Sequence, residues 1–347
     1  MAIIGGEADF FGLDIGTSAI RVVQLKGPGP IKNLAAYGQT AVDNAILVSD
    51  AATDHQRIAG VIKDLIKEAK ISTKNVAVNV ATNRVFMAVI DMDKLPPAEL
   101  EKTMRYQADS LIPTPLAQSK VDWLVLGDSP KDPKKAEILI SSVPNDYVEA
   151  RLDMLESAGL NVVAIEPDST ALARAVMAPD VPTPQLVLDI GYSSADLLIA
   201  IDGLPRLSRA LPYGSQAVVR AAEQALGVDS AQAQQYVFKF GLSKDKLDGQ
   251  VYGAIINTIE GLMAEIDKSI KFFQGRYAGA KLDRLIVTGS ASAMPELPLY
   301  IANKFNLNVE IGNAWRNVNY PPEQQNALAA ISNHFPVAAG LAERQQA

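Results

Sequence analysis

Two short segments of this chain combine an acid, a glycine and hydroxyl groups in the same order. Residues 10–18 read Phe-Phe-Gly-Leu-Asp-Ile-Gly-Thr-Ser, and residues 186–194 read Leu-Val-Leu-Asp-Ile-Gly-Tyr-Ser-Ser. Asp14 and Asp189 hold the same place in the two segments, which lie about half a chain apart. A single segment of this kind is most often an ordinary turn, but two copies at domain spacing favour a binding site formed by an internal duplication.

The groups in both segments are suited to binding phosphate and a metal ion. Gly16 and Gly191 let the backbone approach a ligand closely, and neighbouring N–H and hydroxyl groups then form an anion-binding concavity. A carboxylate alone would repel phosphate, so we expect Asp14 and Asp189 to hold Mg²⁺, usually through water. The predicted phosphate-binding residues of the two segments are Asp14, Gly16, Thr17, Ser18, Asp189, Gly191, Tyr192, Ser193 and Ser194.

Apolar runs on both sides of each segment predict β-hairpins that carry these groups at their tips. After the first hairpin, the pattern predicts a strand, a helix and a strand at Ile31–Val42, 54–69 and Val76–Val80. After the second, it predicts a strand at Pro205–Leu211 and helices at Val218–Leu226, Ser230–Phe240 and 251–274. The turn at Gly214 and Ser215 is a further phosphate candidate, because N–H groups point outward at a helix N-terminus. An ordinary helix start explains it equally well.

Residues 84–162 are predicted to form a separate module between the two halves. Its first helix begins at Pro96 and ends before Pro113, since proline is tolerated at a helix start but not in its interior. The lysines Lys131, Lys134 and Lys135 are expected to lie in a solvated hairpin loop. The predicted elements of the module are strands at 85–90, 121–126 and 138–143 and helices at 96–112 and 147–158.

Composition excludes several classes of protein. A net charge of −7 and a pI near 5.1 give no indication of a basic face, so we expect no nucleic-acid partner. The chain has no cysteine, which excludes disulfides, cysteine-bound zinc and thiol catalysis and fits a reducing cytoplasm. The N-terminus lacks the features of a signal peptide, and no stretch approaches the roughly 20 apolar residues that span a bilayer. We therefore expect a cytoplasmic protein.

The two hairpin segments resemble the phosphate-1 and phosphate-2 loops of the actin, Hsp70 and sugar-kinase superfamily, and Leu-Ile-Val-Thr-Gly-Ser-Ala-Ser at 285–292 resembles its adenosine loop. The resemblance implies an actin-like (ribonuclease H-like) α/β fold, in which two duplicated domains flank a cleft that binds ATP or ADP with Mg²⁺. It implies that Arg21 takes the place of a phosphate-reaching lysine. The nucleoside contacts that it implies are Gln234, Gly289, Ser290 and Ala291. Superfamily members carry Ala-Glu-x-x-Lys where this chain has Ala-Gln-Gln-Tyr-Val at 233–237, so an amide replaces the acid and Val237 replaces the cation.

The module carries the most specific resemblance. Its segments Leu-Pro-Pro-x-Glu-Leu-Glu-x-x-x-Arg-Tyr-Gln-Ala-Asp-x-Leu-Ile-Pro at 95–113, Asp-Trp-Leu-Val-Leu at 122–126 and Leu-Glu-x-Ala-Gly-Leu at 155–160 resemble the PilM family, cytoplasmic actin-like proteins of type IV pilus assembly. The resemblance implies that the module is the FtsA-type subdomain 1C, or SHS2 domain. It also implies that a groove beside the module, near residues 95–125, accepts the cytoplasmic N-terminal peptide of a membrane protein, PilN. Such a chain would lie at the inner face of the cell membrane through that partner.

The same resemblance implies a division of the chain. Two connecting helices are expected, one at 171–177 with Asp168 as its N-cap, and one at 335–342 whose small residues permit a close crossing. Three prolines at 179–184 mark the boundary between the halves. The implied domains are 1A at 9–83 and 163–180, 1C at 84–162, 2A at 185–227 and 280–343, and 2B at 228–279.

Three functions remain open from the sequence. The first is an ATP-binding scaffold of pilus assembly with slow or no hydrolysis. The second is an enzyme, at most a weak ATPase or a kinase, for which Glu166, Asp168 and Asp196 are the acidic candidates; a strand end and a helix cap explain the first two better. The third is a filament-forming ATPase like FtsA, although no amphipathic membrane-binding tail is recognised after residue 342. Further implied partners are other pilus inner-membrane proteins, pilus motor ATPases and copies of the chain itself.

Overall fold

The computed structural model describes residues 9–178, 181 and 183–345. In this part of the chain the strands form three sheets, of six, five and three strands. In chain order the strands are β1 (Phe11–Ile15), β2 (Ala19–Lys26), β3 (Lys32–Ala41), β4 (Asn75–Val80), β5 (Phe86–Asp93), β6 (Ser119–Asp128), β7 (Lys135–Pro144), β8 (Asn161–Pro167), β9 (Gln185–Ile190), β10 (Ala195–Ile201), β11 (Leu204–Leu211), β12 (Arg284–Thr288), β13 (Asn308–Ile311) and β14 (Val318–Asn319). The α-helices are α1 (Asn44–Leu47), α2 (Ala52–Glu68), α3 (Pro97–Leu111), α4 (Asn145–Ser157), α5 (Asp168–Val176), α6 (Ser215–Leu226), α7 (Ser230–Phe240), α8 (Gln250–Arg276), α9 (Leu297–Phe305), α10 (Gln325–Ile331) and α11 (Pro336–Ala342).

The two larger sheets repeat one topology. Their strand orders are β14-β3-β2-β1-β4-β8 and β11-β10-β9-β12-β13. In each sheet an antiparallel hairpin comes first, and its first strand pairs in parallel with a later strand, β4 or β12. β1 and β9 are covered on both faces, which explains their continuous apolar runs. The shared topology confirms the predicted duplication and places both hairpin tips at the same end of their sheets.

Helices α5 and α11 lie between the two larger sheets and cross at close range. Both are largely buried, and they share one core with Ala77 of β4 and Val187 of β9. A Cβ on Gly340 would lie 2.0 Å from the carbonyl oxygen of Ala171, so only glycine fits where the helices cross. The prediction that small residues permit this crossing is confirmed.

The three-stranded sheet, with order β5-β7-β6, is the core of the module. Helix α3 covers one face of it, where Met104 packs against Ile138 and Ile140. Helix α4 packs against the first half, where its Met154 shares a core with Ile58 of α2. The module is therefore anchored to the first half through α4.

A buried ion cluster joins the module to the second half. Glu137 of β7 is only 3% exposed. Its carboxylate accepts hydrogen bonds from Arg276 Nε at 3.0 Å and from the Tyr277 hydroxyl at 2.7 Å. The Nε atom of Arg206, on β11, lies 3.1 Å from the other carboxylate oxygen but outside hydrogen-bond geometry. Arg276 also donates two hydrogen bonds to Asp91 of β5, at 2.6 and 3.3 Å.

The last part of the described chain returns to the first sheet. Strand β14 pairs in parallel with β3, and Trp315 and Phe335 pack around Tyr37 and share a core with Val23 of β2. This differs from the expected assignment of 280–343 to the second half, because the segment from residue 314 onward buries its aromatic side chains against β2 and β3. A two-residue strand has no periodic pattern that could have revealed this.

Two expectations concern residues outside the described part of the chain. The N-terminal segment judged to lack a signal peptide includes residues 1–8, and the proline-rich boundary includes residues 179, 180 and 182. Among the described helices, none combines the length and the apolar character needed to cross a membrane.

Candidate functional site

The tips of the two duplicated hairpins face each other and touch. The Gly16 N–H donates to the Ala19 carbonyl at 3.1 Å, and the Gly191 N–H donates to the Ser194 carbonyl at 3.0 Å, so the two turns have the same local structure. Across the gap, the backbone N–H of Ser193 donates to the Thr17 hydroxyl at 3.3 Å. The two tips therefore lie at one shared crevice, as the sequence predicts.

One side chain ties the two tips together. Asn44, the first residue of α1, donates to the Thr17 carbonyl at 2.7 Å and to the Ser193 hydroxyl at 2.9 Å. Since Thr17 and Ser193 come from opposite halves, these bonds hold the halves closed. Sequence reasoning did not find Asn44, because it lies between the predicted strand at Ile31–Val42 and the predicted helix at 54–69, where no element was predicted.

Behind the tips lies a cavity of about 100 Å³, to which both halves contribute. Glycine is required at position 289, because φ is +85° there and a Cβ would lie 2.5 Å from an Asp189 carboxylate oxygen. The predicted site residues that line the cavity are Asp14, Gly16, Thr17, Ser18, Arg21, Asp189, Gly191, Tyr192, Ser194, Gly289 and Ser290.

Four carboxylates also line this cavity: Asp14, Asp168, Asp189 and Asp196. The register of the hairpins places three of them, because Asp14 lies opposite Arg21 on β2 whereas Asp189 lies opposite Asp196 on β10. The first hairpin therefore contains an ion pair, with Arg21 Nη1 3.3 Å from the Asp14 carboxylate. The second hairpin contains two acids at the corresponding positions.

Burial and mutual repulsion disfavour the charged forms of these acids. Burial, followed by repulsion from Asp14, raises the pKa of Asp189 to about 7. Burial and then repulsion from Asp189 raise the pKa of Asp196 to about 7. Burial also raises the pKa of Asp14, although Arg21 opposes that rise. The cavity is consequently a place where a bound cation would be strongly favoured.

Asn79 of β4 organises two of the carboxylates. Its side-chain amide donates to Asp14 at 3.2 Å and to Asp168 at 2.9 Å, and its oxygen accepts from the Ile15 N–H at 2.8 Å. Sequence reasoning missed this residue, although a polar side chain in the buried run Val-Ala-Val-Asn-Val was a usable signal.

Asp168 has a different role from the one expected, whereas Glu166 lies at the end of β8, as expected. Asp168 was expected to cap a helix beginning at 171, but α5 begins at Asp168 itself, Pro167 is the N-cap residue, and the carboxylate bonds to Asn79 instead. Burial and repulsion from Asp196 raise its pKa. Glu166 does not line the cavity among the described residues, because it pairs with Arg174.

The donor set fits Mg²⁺ only when phosphate oxygens and water complete its coordination, because no group of three or more acidic or histidine side chains among the described residues could hold a metal ion. Carboxylate oxygens are the ligands that Mg²⁺ prefers, and it keeps several positions for water and phosphate oxygens. Two polar atoms of the lining residues, Arg21 Nε and the Thr82 hydroxyl, are buried without a hydrogen-bond partner in the described part of the chain. Arg21 Nε could donate to a phosphate oxygen. The Thr82 hydroxyl faces Asp196 without meeting hydrogen-bond geometry.

Four predicted contacts lie outside the cavity lining. Gly214 precedes α6, whose first N–H groups, on Ser215 and Gln216, donate to the Gly191 and Tyr192 carbonyls at 2.9 and 3.0 Å. The helix start thus supports the second tip and does not point at a phosphate. The other three are Ser193, Gln234 and Ala291. Ser193 bonds to Asn44, Gln234 is exposed on α7, and Ala291 is buried in the core of the second half.

A larger cavity of about 440 Å³ lies between the first half and the module, and we call it the α1–α4 groove. Gly16 and Thr17 line both this groove and the smaller cavity. The ring of Tyr147 lies between Arg84 and Arg151, whose guanidinium carbons are 5.2 and 5.3 Å from its centroid. The apolar walls of the groove come from Leu47, Val48 and Ile58 of the first half and Pro144, Ala150 and Met154 of the module.

Comparison with known proteins gives one family and several similar folds. The family model for the type IV pilus assembly protein PilM matches residues 12–346. A solved PilM-PilN type IV pilus biogenesis complex has a chain that is 24% identical, with coverage of 97% of this chain and 98% of that chain and a TM-score of 0.82.

Two further solved structures are similar at lower identity. The ethanolamine utilization protein EutJ from Carboxydothermus hydrogenoformans is 14% identical, with coverage of 98% and 90% and a TM-score of 0.60. MreB5 of Spiroplasma citri bound to ADP is 12% identical, with coverage of 96% and 95% and a TM-score of 0.57. These likenesses confirm the predicted actin-like α/β fold.

Proposed function

Because the chain belongs to the type IV pilus assembly protein PilM family, we propose that it is an ATP-binding scaffold of pilus assembly that hydrolyses ATP slowly or not at all. The observation that carries this proposal is the cavity behind the duplicated tips, which is lined by four carboxylates and Arg21. Their chemistry is that of a site for Mg²⁺ and phosphate.

The residues that would hold the nucleotide follow from this arrangement. The N–H groups and hydroxyls of Gly16–Ser18 and Gly191–Ser194 would bind the phosphates, with Arg21 at the same end. Asp14 and Asp189 would hold Mg²⁺, in part through water, and Gly289 and Ser290 would lie at the nucleoside. The bound ion would neutralise the charge of the acids and the phosphates.

The tips must separate for this ligand to bind. The cavity of about 100 Å³ is smaller than the roughly 300–1,000 Å³ of ordinary small-molecule sites. Entry of a nucleotide would therefore break the contact between Ser193 and Thr17 and the bonds from Asn44. A nucleotide that binds the separated state better would shift the protein toward it.

We further propose that the α1–α4 groove binds the cytoplasmic N-terminal peptide of a PilN-like membrane protein. The similarity to a chain of a PilM-PilN complex supports this partner. The groove offers apolar walls from both the first half and the module, with Arg84 and Arg151 beside them. This partner would keep the protein at the inner face of the cell membrane. The groove is lined by residues 144–154 of the module and not by residues 95–125, where we expected it.

The two proposed sites share structural elements, so their ligands should affect each other. Helix α1 begins with Asn44, which holds the tips, and ends with Leu47, which lines the groove. Separation of the tips would release Asn44 and allow α1 to move in the groove wall. Any resulting change in peptide affinity would be matched by an equal change in nucleotide affinity.

The peptide proposal predicts that Val48→Glu weakens binding at least tenfold. Val48 is 49% exposed in the groove wall, and a carboxylate there would lose hydration when an apolar peptide side chain covers it. Ile311→Glu is the matched control, because Ile311 is 45% exposed and does not line the groove. Fluorescence anisotropy with a labelled N-terminal peptide of a PilN-like protein measures both affinities.

A third variant distinguishes the two faces of the module. Tyr106 on α3 is 72% exposed and does not line the α1–α4 groove. We expect Tyr106→Glu to bind the peptide normally. If Tyr106→Glu abolishes binding while Val48→Glu does not, the peptide binds on the α3 face and the proposed location is wrong.

An ATPase with turnover as fast as that of ordinary kinases is the second candidate, and one observation favours it. Asp196 lines the cavity, and its pKa of about 7 suits a group that accepts a proton from water near neutral pH. A steady-state phosphate-release assay tests this, with Asp196→Asn as the variant. Turnover on the order of 1 s⁻¹ or faster, as in ordinary kinases, that is lost in Asp196→Asn would replace the scaffold proposal by an enzyme.

A further inference from the structure

A separate groove lies between the free edges of two sheets, and we call it the edge groove. In the described chain, β5 pairs only with β7 and β11 pairs only with β10. These two unpaired edges contribute Met87–Val89 and Arg206–Arg209 to a cavity of about 600 Å³. The edge groove shares no lining residue with the α1–α4 groove. These two edges face each other, and backbone positions of β5 and β11 lie within 8 Å of one another, so a further strand does not fit between them.

The wall of the edge groove is basic although the chain as a whole is acidic, with a net charge of −7. It presents five cationic side chains and no carboxylate: Lys131, Arg206, Arg209, Lys271 and Arg276. The acids that pair with most of these cations lie outside the lining. A ligand in the groove would therefore meet positive charge first.

Three of the five cations are available to a ligand. Arg206 and Arg276 are held in the buried cluster around Glu137. Lys131 has no ion pair within the described residues. The Lys271 side chain is 72% exposed in its pair with Asp267, and Arg209 is 39% exposed in its pair with Glu265. Exposed pairs of this kind contribute little to stability, so a ligand carboxylate can replace the present partner.

An apolar contact lies beside these charges. Phe272 on α8 is 70% exposed and lines the edge groove together with Leu207 and Met87. Covering an exposed phenylalanine side chain favours binding through the hydrophobic effect. The groove thus combines basic side chains and one aromatic anchor.

We infer that the edge groove binds an acidic, extended segment of another protein. The segment lies along the groove, its carboxylates meet Lys131, Arg209 and Lys271, and an apolar side chain covers Phe272. This interaction is distinct from binding of the PilN-like peptide and does not depend on it.

Fluorescence anisotropy with a labelled peptide of alternating glutamate and valine tests the inference on the full chain. We expect this peptide to bind at least tenfold more tightly than its lysine–valine counterpart. Lys131→Glu/Lys271→Glu should lose at least tenfold in affinity for it. The matched control is Lys63→Glu/Lys67→Glu, which makes the same charge change at exposed positions of α2 outside the groove. Thermal melts should show that both variants fold.

Two further measurements separate this inference from its alternatives. A peptide of alternating glutamate and serine should bind at least tenfold more weakly, because it has no apolar side chain to cover Phe272. The Lys131→Glu/Lys271→Glu variant should bind the PilN-like peptide normally, so failure of the two proposals can be told apart. The inference is wrong if the glutamate–valine peptide does not bind at millimolar concentration or if both double variants weaken it equally. It is also wrong if the lysine variants affect only binding to phosphatidylglycerol vesicles, which would indicate a membrane contact.

Discussion

Asp189→Asn is expected to weaken Mg-ATP binding at least a hundredfold while making the protein without nucleotide more stable at pH 8. The binding loss follows because the amide removes a charge that would hold Mg²⁺ opposite Asp14. The gain in stability follows because the wild-type protein must bury this carboxylate, and burial raises its pKa from 3.8 to about 7. A mutation that removes a functional group and stabilises the fold is the signature of a strained binding site.

The size of the stability gain depends on pH. Between pH 4 and 7 the unfolded chain has lost this proton while the folded protein still holds it, so the free energy of unfolding of the wild type falls as pH rises. Below pH 4 both states are protonated and the variant should match the wild type. Above pH 7 we expect Asp189→Asn to be about 2–4 kcal/mol more stable, because each unit of pKa corresponds to about 1.4 kcal/mol.

Urea unfolding at pH 4 and pH 8 measures the stability difference, and isothermal titration calorimetry measures Mg-ATP binding. Asp64→Asn is the matched control, since Asp64 is exposed on α2 and outside the cavity. It should change neither quantity. An Asp189→Asn protein that binds Mg-ATP like the wild type would show that this carboxylate takes no part in nucleotide binding.

The opposite result is expected for Glu137, a buried acid that has cationic partners. Glu137→Ala should lower the free energy of unfolding by about 3–5 kcal/mol, because it leaves buried arginine charge without its carboxylate. The side chains of Arg206 and Glu137 are only 6% and 4% exposed, so water cannot replace the lost partner. Arg276 would keep only Asp91.

Glu101→Ala is the control for this change. Glu101 pairs with Arg105 one turn away on α3, and its side chain is 59% exposed. Such a pair contributes about 0.3–0.5 kcal/mol, so the variant should unfold at nearly the wild-type urea concentration. A Glu137→Ala protein within about 1 kcal/mol of the wild type, by the same measure, would show that the cluster does not hold the module to the second half.

Local sequence patterns were sufficient for much of the fold. The hairpins at Asp14 and Asp189 were predicted because each is a buried apolar run broken by a glycine turn, and both were found as β1–β2 and β9–β10. The helix predicted at 251–274 is α8, at Gln250–Arg276, because its apolar stripe repeats at helical spacing. Regular periodicity therefore located the elements that carry the two tips.

The contacts between elements were not predictable in this way. Asn79 meets Asp14 and Asp168 only after three separate segments have folded together. The pair formed by Glu137 and Arg276 joins residues 139 positions apart. The start of α6 bonds to the Gly191 turn, which is why Gly214 has a supporting role. Periodicity identifies an element and its buried face, but it does not identify the partner of a polar side chain.

A crystal structure grown with Mg²⁺ and a non-hydrolysable ATP analogue would test most directly whether both tips bind one nucleotide. The proposal predicts that the phosphates lie between residues 16–18 and 191–194, with the Mg²⁺ ion between Asp14 and Asp189. The Asn44 bonds to Thr17 and Ser193 should be broken. A nucleotide bound elsewhere, or tips still in contact with no nucleotide between them at millimolar analogue, would contradict the proposed function.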